Sequence, residues 1–167
     1  MRTLVTGGVK SGKSSYALVL AQEFAEPRFF LATAEAFDDE MKARIAKHRE
    51  DRAGRFTTIE EPLAIQDKVC DRMILDCVPL WLNNMLYYGR EAEIEGTITE
   101  FIKRLPRDIV IVTNEIGWGF IPADPLSRRY GDLLGLINAR LAAACDRVVL
   151  MVAGVPLAVK GPPGPAR

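Results

Sequence analysis

Residues 7–14 read GGVKSGKS, which fits the pattern G-x-x-x-x-G-K-[ST]. Each residue type in it suits one task in holding a polyphosphate. Gly7, Gly8 and Gly12 permit a tight turn in which backbone N–H groups converge on an anion, and Val9, Lys10 and Ser11 complete the loop. A helix that begins where the loop ends points its positive end at the same place. Lys13 is long enough to reach β and γ phosphates, and the Ser14 hydroxyl suits Mg²⁺. The plain alternative is a glycine-rich turn with an incidental lysine, which chance supplies in roughly one chain in a hundred or fewer. The context here is the one the motif requires, because an apolar run precedes it and a helical segment comes after it. A bound Mg²⁺ needs a carboxylate at the end of a neighbouring strand. RMILD, residues 72–76, supplies Asp76 as in a Walker B strand, although a cap for the next helix is the other use of an aspartate there.

The only histidine, His48, lies in MKARIAKHREDR, residues 41–52. On a helix over 36–53, at about 100° per residue, Phe37, Met41, Ile45, His48 and Arg52 share one face, with Arg44 at its margin. Lys42, Lys47, Arg49 and Glu50 point elsewhere. Arg44 and Arg52 lie one turn on either side of His48, an arrangement that suits phosphate oxygens. Nearby cations also favour neutral imidazole, the nucleophilic form. A half-buried histidine packed at a helix end fits the same spacing, and the residues leave the two readings level.

These groups need a scaffold. Five apolar runs read as buried parallel strands: 2–6, 28–33, 72–76, 108–113 and 147–152. Helical periodicity fills the gaps at 13–25, 36–53, 62–70, 79–88, 93–104 and 125–144. Alternation of strand and helix predicts an α/β doubly wound sheet with helices on both faces. One domain is expected over residues 1–160, with a disordered tail, GPPGPAR, at 161–167. Segment 114–124, NEIGWGFIPAD, is a loop at the carboxyl end of a strand, where open α/β sheets build their sites. Glu115 there reads either as a group near the metal or a substrate hydroxyl, or as part of a structural turn. Trp118 reads either as a cover for a large ligand or as a packed side chain. Arg128 and Arg129 suit a phosphate or a solvated helix face.

Composition narrows the classes. Apolar residues make up 49% of the 167, enough for a core, and the formal net charge is zero. A general attraction to nucleic acid or acidic membranes is therefore not expected. Cys70, Cys77 and Cys145 lie far apart with no metal-binding spacing, which points to reduced thiols. With no signal peptide and no apolar run of membrane-spanning length, a soluble cytoplasmic protein is expected.

The chain resembles the bifunctional adenosylcobinamide kinase/adenosylcobinamide-phosphate guanylyltransferase family of cobalamin biosynthesis, over about residues 1–160. The likeness is carried, in order, by LVTGGVKSGKS, LATAEAFDDEMKARIAKHREDR, IEEPL, ILDC, VTNEIGWGFIP, LSRRYGDLLGLINARLAAACDRVVLMVAG and LAVK. It implies a RecA-like P-loop fold and a homotrimer. It implies phosphorylation of adenosylcobinamide with ATP or GTP, then transfer of GMP from GTP to that phosphate through a GMP–histidine intermediate. His48 is the one histidine that could carry the GMP. The resemblance also implies nucleotide contacts from the phosphate loop, from Thr33, Ala34 and Glu35, from Arg49, Glu50, Asp51 and Arg52, and from Glu61 and Asp76. Thr33 is expected to end a strand beside the phosphate-loop strand and to turn its hydroxyl to the nucleotide. Glu61 before Pro62 also suits a local carboxylate cap. Lys10 stands where the family often has arginine, and Pro79 where it usually has a residue that donates its N–H. Two other functions remain in view: another small-molecule P-loop kinase with His48 structural, and a non-enzymatic nucleotide-binding module. An NKxD guanine signature, expected of a GTPase switch, is absent from the sequence.

Overall fold

Short apolar runs rich in Val, Ile, Leu and Phe can bury both of their faces only inside a layered sheet. They do so here as β1 (Arg2–Gly7), β2 (Phe29–Ala32), β4 (Met73–Asp76), β5 (Ile109–Val112) and β6 (Arg147–Val152). Two further strands, β3 (Thr57–Glu60) and β7 (Val155–Lys160), close the sheet at its edges, giving the order β3-β2-β4-β5-β1-β6-β7. All pairs are parallel except β6 with β7. This computed structural model describes the chain apart from Phe37, Ala53, Gly117, Gly119, Phe120, Ala166 and Arg167, and apart from the side chains of Arg44, His48 and Asp51.

The helices are α1 (Lys13–Ala21), α2 (Asp39–Arg52), α3 (Val78–Tyr87), α4 (Ile94–Lys103) and α5 (Pro125–Ala144). Alternate strand residues feed two cores. Leu4, Leu31, Met73, Leu75, Ile109 and Ile111 pack with α3, α4 and α5 through Trp81, Ile98, Phe101 and Leu141. Val5, Phe30, Ile74, Val110 and Val112 face the other way and pack with α1 through Tyr16, Ala17 and Leu20. Fully burying such side chains contributes about 1.5–3 kcal/mol each. Asp124 stops the loop before α5, accepting from the Ser127 N–H at 2.7 Å with Pro125 in the first turn. Such a cap is worth about 1 kcal/mol.

The α/β sheet and all five anticipated strands are present, and α5 has the predicted bounds. Segment 62–70 is not a helix: only Ile65–Asp67 forms a 3₁₀ turn. Pro62 and the carboxylate of Glu61, whose Oε1 accepts from the N–H groups of Leu63 and Ala64, hold a tight turn there instead. The strand β3 is not legible as an apolar run because it is polar and largely exposed, paired only with β2. The strand β7 returns antiparallel after a two-residue turn in which Ala153 and Gly154 have φ of 49° and 87°. Both angles are positive, as in the tight hairpin turn that matches strand twist. At the chain's end the described residues stop at Pro165, whose carbonyl accepts from the Tyr16 hydroxyl at 3.3 Å.

Candidate active site

The glycine loop leaves β1 and enters α1. Gly7 has φ 142°, and a Cβ there would collide with the Met151 carbonyl of β6, so no other residue fits without a shift. Gly12, at φ 93°, caps α1. Within the loop the Ser11 N–H donates to the Gly8 carbonyl at 3.3 Å, and the Gly154 N–H donates to the Ser11 carbonyl at 3.1 Å. The β6–β7 turn therefore braces the loop from outside. Lys13 is buried and donates through Nζ to the Gly8 carbonyl at 2.5 Å, which holds the amine over the loop. The Ser11 Oγ is buried and has no partner among the described residues. Val9 and Lys10 are exposed at the tip of the turn.

Asp76 ends β4, and Ser14 lies in the first turn of α1. Both line one narrow cavity of about 40 Å³, together with Arg52, Phe30 and Val112. The strand β4 is not the neighbour of β1, as an acid on an adjacent strand would require; β5 lies between them. The register still brings the ends level, with Asp76 opposite Val112 and Val112 opposite Val5.

Thr33 departs from expectation. It comes directly after β2, which is separated from β1 by β4 and β5. Its side chain is fully buried, and its Oγ1 accepts from the Cys77 N–H at 2.9 Å while lying 2.9 Å from the Cys77 carbonyl. A hydroxyl so engaged is spent on fixing the backbone just beyond Asp76. The Asn84 amide donates to the Thr33 carbonyl at 2.7 Å from α3. Pro79 causes no loss, because it sits in the first turn of α3, where N–H groups lack helical partners. Its carbonyl accepts from the Tyr130 hydroxyl at 2.9 Å, and burial pushes the Tyr130 phenol up to about 12.

Glu35 lies after β2. Its Oε1 accepts from the Tyr88 hydroxyl at 3.1 Å, and its Oε2 is buried with no donor among the described residues. Loss of solvent around the Tyr88 phenol, then its hydrogen bond to Glu35, raises the Tyr88 pKa. Ala34 is half-buried beside it.

His48 belongs to α2, but its side chain, like that of Asp51, lies outside the described residues. Around it the predicted faces hold. Met41 and Ile45 are half-buried, Arg52 is buried, and Lys42, Lys47, Arg49 and Glu50 are exposed. Phe37 of the same predicted stripe lies outside the described residues. The Arg52 guanidinium stacks 3.7 Å from the centre of the Phe30 ring. Arg49 pairs with Glu60 of β3, and Arg49, Arg52, Phe56, Thr58 and Glu60 line an open groove of about 550 Å³. Sequence reasoning did not find that groove. Its signal lay in the alternation of Phe56, Thr58 and Glu60, which puts them on one side of a strand.

Reasoning from the sequence also missed the partners of Glu115. Its Oε1 accepts from the Thr6 hydroxyl at 2.9 Å and from the Asn138 amide at 3.3 Å. Asn138 in turn accepts from the Thr113 hydroxyl at 2.7 Å. A polar residue on the buried face of α5 was the available sign.

A glycine loop with its lysine, wrapped between strand and helix, and an acid one strand removed define a P-loop NTPase fold of the RecA-like kind. A solved protein from Pyrococcus horikoshii OT3 shares the fold, with a TM-score of 0.51 at 10% identity, covering 96% of this chain and 86% of that one. The chain belongs to the cobinamide kinase / cobinamide phosphate guanyltransferase family, whose profile matches residues 3–159. It is 40% identical to the bifunctional adenosylcobalamin biosynthesis protein CobP of Pseudomonas aeruginosa, over 98% of this chain and 99% of that one. It is 35% identical to the bifunctional adenosylcobalamin biosynthesis protein CobU of Salmonella typhimurium, over 96% of this chain and all of that one. The Escherichia coli protein of the same description is 33% identical over the same shares. The family inferred from motif order is therefore the family found. Kinase and guanylyltransferase activities in cobalamin biosynthesis are its functions.

Proposed function

We propose that this chain phosphorylates the aminopropanol hydroxyl of adenosylcobinamide with ATP or GTP, then transfers GMP from GTP to the new phosphate through His48. The observation that carries this reading is Arg52. It ends the helix that contains His48, and its buried side chain lines the same cavity as Ser14 and Asp76. The histidine helix and the phosphate loop thus meet across one small space.

In the transfer, an imidazole nitrogen of His48 attacks the α phosphorus of GTP. The bond from that phosphorus to the bridging oxygen breaks, and pyrophosphate leaves. An oxygen of adenosylcobinamide phosphate then attacks the same phosphorus, and the imidazole is released with adenosylcobinamide-GDP formed. A neutral nucleophile avoids the repulsion between two phosphate anions in the first half. Lys13 and Arg52 stabilise charge gathering on the phosphates. The groove lined by Phe56, Thr58 and Glu60 offers a ring face and acceptors suited to the guanine, and the orphaned Glu35 Oε2 suits a ribose hydroxyl.

Mg²⁺ fits the residues present. Ser14 and Asp76 offer a hydroxyl and a carboxylate to one cavity, hard oxygen donors for a hard cation. When bound, Mg²⁺ neutralises phosphate charge. No helix among the described residues is long and apolar enough to cross a membrane. We place the enzyme in the cytoplasm as a homotrimer; the edge strand β7, with Val155, Leu157 and Val159 exposed, supports association.

The test is incubation with GTP labelled at the α phosphate. One acid-labile GMP per chain is expected on the wild type and none on His48→Ala. A His48→Ala protein that still forms adenosylcobinamide-GDP would show that His48 is structural, leaving the kinase reading alone.

A further inference from the structure

We infer that Glu115 is the general base of the kinase step, taking the proton from the attacking hydroxyl. The inference rests on the kinase reading above. Glu115 lies just past β5, the strand between the Asp76 strand and the phosphate-loop strand. Its N–H donates to the Gly7 carbonyl at 3.2 Å, so its backbone abuts the first residue of the loop. Among the described residues the carboxylate is held at one oxygen. Thr6 and Asn138 both donate to Oε1, and among the described residues no donor pairs with Oε2. A carboxylate tied by one oxygen has a fixed orientation and keeps the other for a ligand.

The residues after Glu115 point to the same ligand. Ile116, Trp118, Ile121 and Leu126 are exposed, Trp118 and Ile121 by 72% and 81%. An apolar rim beside a phosphate loop suits a substrate with a large apolar body and a hydroxyl arm. With that body on the rim, the hydroxyl enters between Glu115 and the phosphate held by Lys13. Its oxygen attacks the γ phosphorus, and the bond to the β–γ bridging oxygen breaks. ADP or GDP leaves, and the hydroxyl proton passes to Glu115 Oε2 and then to solvent. Positioned bases contribute about 10²–10⁴-fold.

The test is Glu115→Gln, which keeps the shape and an acceptor for Thr6 and Asn138 but cannot take the proton. The kinase kcat with adenosylcobinamide is expected to fall at least about 10²-fold, with KM for ATP and for the alcohol nearly unchanged. GMP labelling of His48 is expected at the wild-type rate, because it needs the same phosphate loop but no hydroxyl deprotonation. Glu115→Asp is expected to recover part of kcat. A Glu115→Gln kinase rate within about threefold of wild type overturns the assignment. So does an equal loss of kinase and labelling, which marks a structural brace of the loop. A wild-type protein with no kinase turnover overturns the proposed function itself, a result distinct from either.

Discussion

The phosphate loop and the histidine helix are attached to the same sheet edge in opposite ways. Around the loop, strand ends are tied to one another by backbone. The Thr113 N–H donates to Val5, the Glu115 N–H to Gly7 and the Gly154 N–H to Ser11. Thr6, Glu115, Asn138 and Thr113 add a half-buried chain of side-chain hydrogen bonds beneath it. At its carboxyl end α2 meets the sheet through Arg52 on Phe30 and through the Arg49–Glu60 pair, both members of which are more than half exposed. An exposed pair of that kind contributes about 0–1 kcal/mol. The loop is therefore preorganised, which suits its proposed use in both reactions. Among the described contacts the exposed Arg49–Glu60 pair is a weak tether, which suits the reach to an α phosphate proposed for His48.

That contrast can be broken most sharply at the helix. His48→Ala is expected to abolish GMP transfer while leaving most kinase activity, since the chain has no second imidazole. The measurements are α-phosphate labelling and product analysis with adenosylcobinamide. Lys13→Ala should do the opposite in kind and lower both activities by about 10²-fold or more, because in the proposed mechanism both nucleotides use the loop. Near-normal turnover in either assay would separate that activity from the loop. Asp76→Asn should come next, shifting the Mg²⁺ titration of both activities to higher concentration, by roughly tenfold. A titration curve that matches wild type would remove Asp76 from the metal site.

The sequence spoke clearly where one residue type answers one physical need. Gly7 cannot be replaced beside the Met151 carbonyl without a shift, and the apolar run before it is bounded by the glycine loop, so β1, the loop and α1 were legible. It spoke poorly where the need is set by a distant partner. TTIE becomes β3 because β2 offers an open edge, not because its residues demand burial. VPLAVK carries Pro156, a mark against a central strand, and is an edge strand because the turn at Ala153 and Gly154 folds it back. Strand order is the deepest case. Nothing in RFFLAT says that two other strands separate it from β1. The expectation that Thr33 ends a strand beside β1 therefore fails, and its hydroxyl is engaged by the backbone after Asp76. Glu115 was visible as a candidate, whereas Thr6 and Asn138, which orient it, are distant in the chain and meet it only in the fold.

Thr33→Val gives the smallest effect and tests whether tight fastening extends to the Asp76 strand. Valine keeps the shape and the burial of Thr33, which is fully enclosed, but removes the acceptor for the Cys77 N–H. An N–H left without its partner in such a place costs about 1–3 kcal/mol. For a chain of this size that corresponds to a fall in Tm of roughly 2–12 °C. Asp76 is one peptide from the lost bond and serves both nucleotides in the proposed mechanism, so both activities should fall together by a modest factor. Their ratio should stay at the wild-type value. A ratio shifted toward the kinase would mean that this strand end serves α2 and the guanylyl transfer alone. An unchanged Tm would mean that the Cys77 N–H finds another acceptor and that Thr33 is not the fastening.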